Sequence, residues 1–145
     1  MTAAAQITLG SALITLCALI HIAVIAVLVP MLTRAAQRLH PYQPRWRTLM
    51  LVSLGVVLLL GAHTIQVWSW ALAFYAMGAF DDFPTSFYFA TATYTTLGYG
   101  DLILSDGLRI FGTFAAITGL LTFGLSTALL MGMITRLLPS LNRPD

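Results

Sequence analysis

The chain of 145 residues contains no lysine and no glutamate, and only 8% of its residues are charged. Soluble domains carry roughly 25% charged residues, so the solvent this composition suits is lipid. One cysteine, Cys17, excludes a disulfide framework. Within its apolar run Cys17 reads as a small packing residue. The Cys, His and Asp residues show no metal-ligand spacing, and polar side chains are too few for a hydrolytic or transfer site. No enzyme, no cofactor and no nucleic-acid partner is expected. No span carries a series of arginines, which excludes a voltage sensor of the usual type.

What fills the chain instead is apolar, at 59% hydrophobic residues. Three long uncharged stretches run from about Ile7 to Thr33, Thr48 to Phe80 and Ile110 to Thr135. Each exceeds the roughly 20 residues that span a bilayer. The first lacks a basic start and is too long for a signal peptide. An all-α membrane protein with three transmembrane helices is therefore expected. Arg34, Arg38, Arg45 and Arg47 crowd the first loop, and Arg136 and Arg143 follow the third span. The positive-inside rule puts both segments in the cytoplasm. The N-terminus is then outside, as is the segment from Asp81 to Asp106, which holds four of the five aspartates.

Span one is expected to end near Pro30, before a short loop stiffened by Pro41 and Pro44. Trp68, Trp70 and Tyr75 read as interfacial aromatics at the outer end of span two. Asp82 or Thr85, with Pro84, marks a helix start. A helix over 85–95 would be only about 16 Å long at 1.5 Å per residue. It cannot span, so it must re-enter. Re-entrant irregular backbone is tolerated only where protein buries it or water wets it. The segment after this short helix must therefore line something wet.

That segment reads Thr95-Thr96-Leu97-Gly98-Tyr99-Gly100-Asp101. Carbonyls that point steadily inward require alternation between right- and left-handed backbone. The left-handed state costs an ordinary residue roughly 1–2 kcal/mol, and Gly98 and Gly100 remove that cost at alternate positions. Such carbonyls can replace the hydration shell of a cation. The Thr96 hydroxyl offers a further oxygen. Leu97 and Tyr99 are expected to point away from the axis and pack on the short helix. The helix aims its partly negative C-terminal end at the same place, which favours a cation.

From about Arg47 to Leu137 the chain resembles the pore domain of potassium channels, closest to small bacterial two-transmembrane channels. The resemblance implies outer helix, pore helix, filter and inner helix, with four filters around one axis. Carried over by position, it makes the Thr96 hydroxyl and the carbonyls of Thr96, Leu97, Gly98 and Tyr99 potassium ligands, with Gly100 closing the filter. It makes Thr95, Asp101 and Arg109 filter support. Gly119 matches an inner-helix hinge glycine, with close helix packing as the other reading of Gly119, Gly124 and Gly132. Leu120, Phe123, Thr127 and Met131 follow the pore-facing stripe, and Phe123 matches a bulky residue coupling inner helix to filter. Leu97 stands where valine is commonest. Ala92 stands where some relatives place a carboxylate paired with the Asp after the filter, so Asp101 lacks that partner. Arg109 is placed to pair with Asp101 or Asp106 instead.

The expected organisation is 1–40, an added N-terminal transmembrane helix and cytoplasmic loop; 46–138, the pore domain; and 139–145, a short cytoplasmic tail. Within the pore domain the expected limits are outer helix 48–80, pore helix 85–95, filter 96–100 and inner helix 107–138. A single loop cannot encircle an ion, so copies are needed; the resemblance implies a homotetramer in a bacterial inner membrane. The expected function is passive, potassium-selective conduction with permeant K⁺ as the only ligand. A non-selective cation channel and a non-conducting membrane subunit are the alternatives. Asp81 and Asp82 read as a solvated helix start or an outer ring that attracts cations. His21 and His63 lie mid-span and are candidate proton sensors, since ionisable groups inside a membrane point to function.

Overall fold

In the computed structural model, residues 1–39 and 43–137 are described. Four helices follow in order: α1 (Ala3–Arg38), α2 (Pro44–Ala76), α3 (Phe83–Tyr94) and α4 (Arg109–Leu137). The all-helical architecture matches the expectation, and α1, α2 and α4 are each long and apolar enough to cross a membrane. At 1.5 Å per residue α3 reaches only about 18 Å, about half of what a span needs. The expected tail 139–145 lies outside the described residues.

The limits of the elements differ from the sequence reading in instructive ways. α1 does not stop at Pro30 but carries on to Arg38. Proline removes one helical bond, but leaving the helix inside lipid would strand several polar groups, each costing several kcal/mol. Leu28 and Leu32, on either side of Pro30, are buried against Leu51 and Leu59 of α2, which holds the helix through the break. Arg34 and Arg38 thus sit on the last turns of α1, and Arg45 and Arg47 on the first turn of α2, instead of in a long loop. α2 begins and ends four residues before the expected 48–80. Its end is set by Met77 and by Gly78 at φ 64°, a left-handed stop that glycine adopts freely. Trp70 is fully buried against Phe74 and Phe111, so it is a core residue. Trp68 and Tyr75 remain about half exposed.

α1 lies against both α2 and α4, while α3 is wedged between α2 and α4. One buried cluster gathers Cys17, Trp70, Phe74, Ala90, Tyr94 and Phe111 from all four helices. Apolar burial alone drives helices together weakly in lipid, so close contacts and polar bonds matter more. Gly10 of α1 admits the Phe114 ring of α4 at a distance a Cβ would occupy. Beside it, the buried Gln6 reaches across to α4. Its Oε1 accepts from the backbone N–H groups of Ile110 (3.0 Å) and Phe111 (3.3 Å), and its Nε2 donates to the Asp106 carbonyl (3.4 Å). α1 therefore caps α4, answering donors that a helix start leaves unpaired.

This cap generates a prediction. Gln6→Ala should lower the apparent unfolding midpoint in detergent, by the equivalent of about 1–2 kcal/mol. Gln6→Glu, which keeps the acceptor, should lose less. An equal midpoint for Gln6→Ala and the unmutated protein would show that the cap holds nothing.

Candidate functional site

The site is built outward from α3. Asp82 starts this helix: one carboxylate oxygen accepts the Thr85 N–H and the other the Thr85 hydroxyl, both at 2.8 Å. These bonds hold the Asp82 carboxyl below its ordinary value of 3.8, the backbone bond contributing most. A depressed carboxyl stabilises the fold above its ordinary value and loses that contribution as pH falls through the folded one. Pro84 occupies the first turn, where its missing N–H costs nothing.

The other end of α3 is where the regular helix stops inside the bundle. The N–H groups of Thr95 and Thr96 still reach back to Thr91 and Thr93 at 3.0 Å. The next two, from Leu97 (2.9 Å) and Gly98 (3.2 Å), both donate to the Ala92 carbonyl. One carbonyl thus ties the start of the irregular segment to the helix. From there the backbone alternates in hand. Thr96 (φ 60°), Gly98 (φ 52°) and Gly100 (φ 79°) are left-handed, and Leu97 and Tyr99 between them are not. The sequence reading foresaw the two glycines. It missed Thr96, the one described non-glycine residue held left-handed, at a cost of roughly 1–2 kcal/mol. Nothing lies within 4 Å of a Cβ built on Gly98 or Gly100, so backbone conformation and not space calls for glycine there.

Residues 95–101 are all exposed in the single chain. Leu97 is 55% and Tyr99 70% exposed, so neither packs on α3 of its own chain as expected. One chain supplies only one wall of this segment. Asp101 does have a partner: it accepts the Tyr88 hydroxyl at 2.7 Å, and the carboxylate raises the Tyr88 phenol above its ordinary range. In the sequence Tyr88 stands out only by lying one helical turn from Ala92. Arg109 pairs with Asp106 (2.8 Å) and donates from Nε to the Leu104 carbonyl (3.2 Å), not to Asp101. The i,i+3 spacing favours the nearer acid, so Arg109 braces the start of α4 and not the segment itself.

α4 approaches the end of α3 at Gly119, where a Cβ would overlap the Tyr94 carbonyl oxygen. Of the two readings of Gly119, close packing is the one this contact supports. Gly124 and Gly132 have nothing within 4 Å of an added Cβ, so within the chain they pack on nothing. The Phe123 ring lies 5.6 Å from Tyr94, immediately before Thr95, and 4.7 Å from His63. Leu120 (62% exposed), Phe123, Thr127 and Met131 share an exposed face of α4. His21 and His63, far apart in sequence, come together with ring centres 5.2 Å apart. Both join buried polar side chains around Tyr94 that the sequence reading passed over: Gln66, Thr122 and Ser126. Polar residues in mid-span were the signal that marked them.

Three helices long enough to span, a half-length helix and a hand-alternating irregular segment behind it define the fold of a membrane ion channel. Residues 49–136, more than half of the chain, match the family described as "Ion channel", and the chain belongs to that family. α1 lies wholly outside the matched region. Among curated proteins and among solved structures no match is found.

Two predictions follow from this geometry. Gly119→Ala drives a Cβ into a backbone carbonyl that cannot yield cheaply, and overpacking of this kind costs typically about 1–3 kcal/mol. Ion flux and thermal midpoint should fall together, and retention of both would remove the close approach from the account. Asp82→Asn should blunt the loss of thermal stability below pH 3.8 while keeping the cap; an unaltered acid profile would assign that loss to another carboxylate.

Proposed function

We propose that the chain forms a homotetrameric, potassium-selective channel of the bacterial inner membrane, with its N-terminus outside and its C-terminus in the cytoplasm. The observation that carries this reading is the left-handed backbone at Thr96, Gly98 and Gly100, within Thr-Leu-Gly-Tyr-Gly, at the end of a helix too short to span. Alternating hand turns successive carbonyls to one side. Four copies around an axis then present rings of oxygen from Thr96, Leu97, Gly98 and Tyr99, with the Thr96 hydroxyl at the inner mouth. These oxygens replace the hydration shell of K⁺, and repulsion between neighbouring ions keeps flux moving.

The exposure of residues 95–101 supports assembly. Inside a membrane such backbone needs protein or water around it, and neighbouring copies supply the protein. Leu97 and Tyr99 then bury against the adjacent subunit. The face of α4 bearing Leu120, Phe123, Thr127 and Met131 lines the cavity below the filter, and Gly119 sets how closely α4 approaches it. Thr95 and Asp101 hold the two ends of the filter, Asp101 through Tyr88. Transport is passive and needs no cofactor. The arginines at the ends of α1 and α2 favour the cytoplasmic side and anionic headgroups.

Bi-ionic reversal potentials of the purified protein in planar bilayers test the reading. Strong preference for K⁺ over Na⁺ is expected. Near-equal permeability would sink selectivity and favour a non-selective pore; no flux from intact tetramers would favour a non-conducting subunit. Gly98→Ala places a Cβ on left-handed backbone in four copies at once, each costing roughly 1–2 kcal/mol. It should reduce K⁺ flux in liposomes to background.

A further inference from the structure

Five side chains drawn from all four helices close a ring behind the proposed filter. His21 Nδ1 lies 3.0 Å from Gln66 Nε2. Gln66 Oε1 accepts the Tyr94 hydroxyl at 2.9 Å. The Tyr94 oxygen lies 2.8 Å from His63 Nδ1. His63 Nε2 lies 2.9 Å from Ser126 Oγ, and Ser126 Oγ returns to His21 Nε2 at 3.2 Å. His21, Gln66, Tyr94 and Ser126 are buried, and Phe123 covers His63. A branch leads from Tyr94 to Thr122, whose hydroxyl also reaches the Thr118 carbonyl.

Proton accounting gives the ring a direction. A neutral imidazole has one N–H and one bare nitrogen, and a hydroxyl has one proton. Tyr94 gives its proton to Gln66, so His63 must donate from Nδ1 to the Tyr94 oxygen. His63 Nε2 is then bare and takes the Ser126 proton. The Ser126 oxygen accepts from His21 Nε2–H, which leaves His21 Nδ1 bare, facing a Gln66 amide proton. Every ring donor meets one ring acceptor. Turning the Gln66 amide over reverses all five bonds together, and the ring closes again. In either direction the two histidines carry opposite tautomers. An imidazolium, with two N–H groups and no bare nitrogen, fits neither direction. The ring's titratable members are His21, His63 and Tyr94; Cys17 stands one turn before His21, beside Trp70. Among the described residues no carboxylate or guanidinium bonds to the ring.

We propose that the first helix is a positioning element of the pore: His21 closes a unidirectional five-membered hydrogen-bond ring that fixes Tyr94, and through it the irregular segment that begins at Thr95. This rests on the filter reading above. Tyr94 is gripped twice, at its carbonyl by Gly119 and at its phenol by the ring, and the residue after it opens the irregular segment. Without His21, the Gln66 amide and the Ser126 hydroxyl each lose a buried partner, and the phenol loses its fixed direction. Mutual polarisation makes such a ring stronger than its separate bonds.

Nitrogen-15 solid-state NMR of the full chain in bilayers tests the ring without requiring conduction. In a His40→Gln background only the two ring histidines report. One Nδ1–H and one Nε2–H imidazole at neutral pH is expected; two equal tautomers, or an imidazolium, overturns the ring. The positioning role is read from the K⁺/Na⁺ permeability ratio. His21→Leu should lower it severalfold, while Leu13→Ala, on the same helix but outside the ring, should leave it unchanged. An unchanged ratio in intact His21→Leu tetramers overturns the role. Absence of K⁺ flux from the unmutated protein overturns the filter reading and the positioning role with it, and the tautomer pair then still decides the ring.

Discussion

Non-helical backbone at membrane depth survives only where something answers its polar groups. That constraint governs this molecule, because α3 ends halfway and the chain must continue as irregular backbone. The Thr91 and Thr93 carbonyls answer the first two N–H groups beyond the helix, and the Ala92 carbonyl answers the next two, from Leu97 and Gly98. Gly119 lets α4 come close enough to wall in the Tyr94 carbonyl. The spans on either side exist, in effect, to hold these few residues in place. The remaining exposed backbone from Thr95 to Asp101 is the strongest physical argument for neighbouring copies.

The helices themselves reflect the same solvent. Lipid gives little reward for burying leucine on leucine, so the bundle is knit by small residues and polar side chains. Gly10 and Gln6 dock α1 on α4, and Gln6 supplies the cap that the sequence around Arg109 lacks. Tyr94, Gln66, Ser126 and the two histidines are costly in lipid and therefore find one another. α1 lies wholly outside the region matched to the ion channel family, yet His21 and Gln6 make it part of the same core.

Much of the architecture was legible in the chain. The count of spans, the half-length helix, a start at Asp82 or Thr85 and the glycines at 98 and 100 all follow from local composition and from what one residue can do alone; the structure chose Asp82. The misreadings share a cause. Pro30 read as a stop because the cost of leaving a helix in lipid is not visible in the dipeptide. Trp70 read as interfacial because its burial depends on Phe74 and Phe111. Arg109 was left between two acids, and only the placed backbone chose Asp106. Tyr88 drew no notice because its partner lies 13 residues on, across a turn.

The sequence by itself determined the solvent, the number of crossings and the place where irregular backbone must occur, since hydropathy, length and glycine act locally. Tertiary structure alone decided that Tyr88 holds Asp101 and that His21 and Gln6 tie α1 to α2 and α4. Those outcomes depend on atoms from distant parts of the chain meeting within hydrogen-bond distance, and such meetings are set by helix packing, which no local pattern encodes.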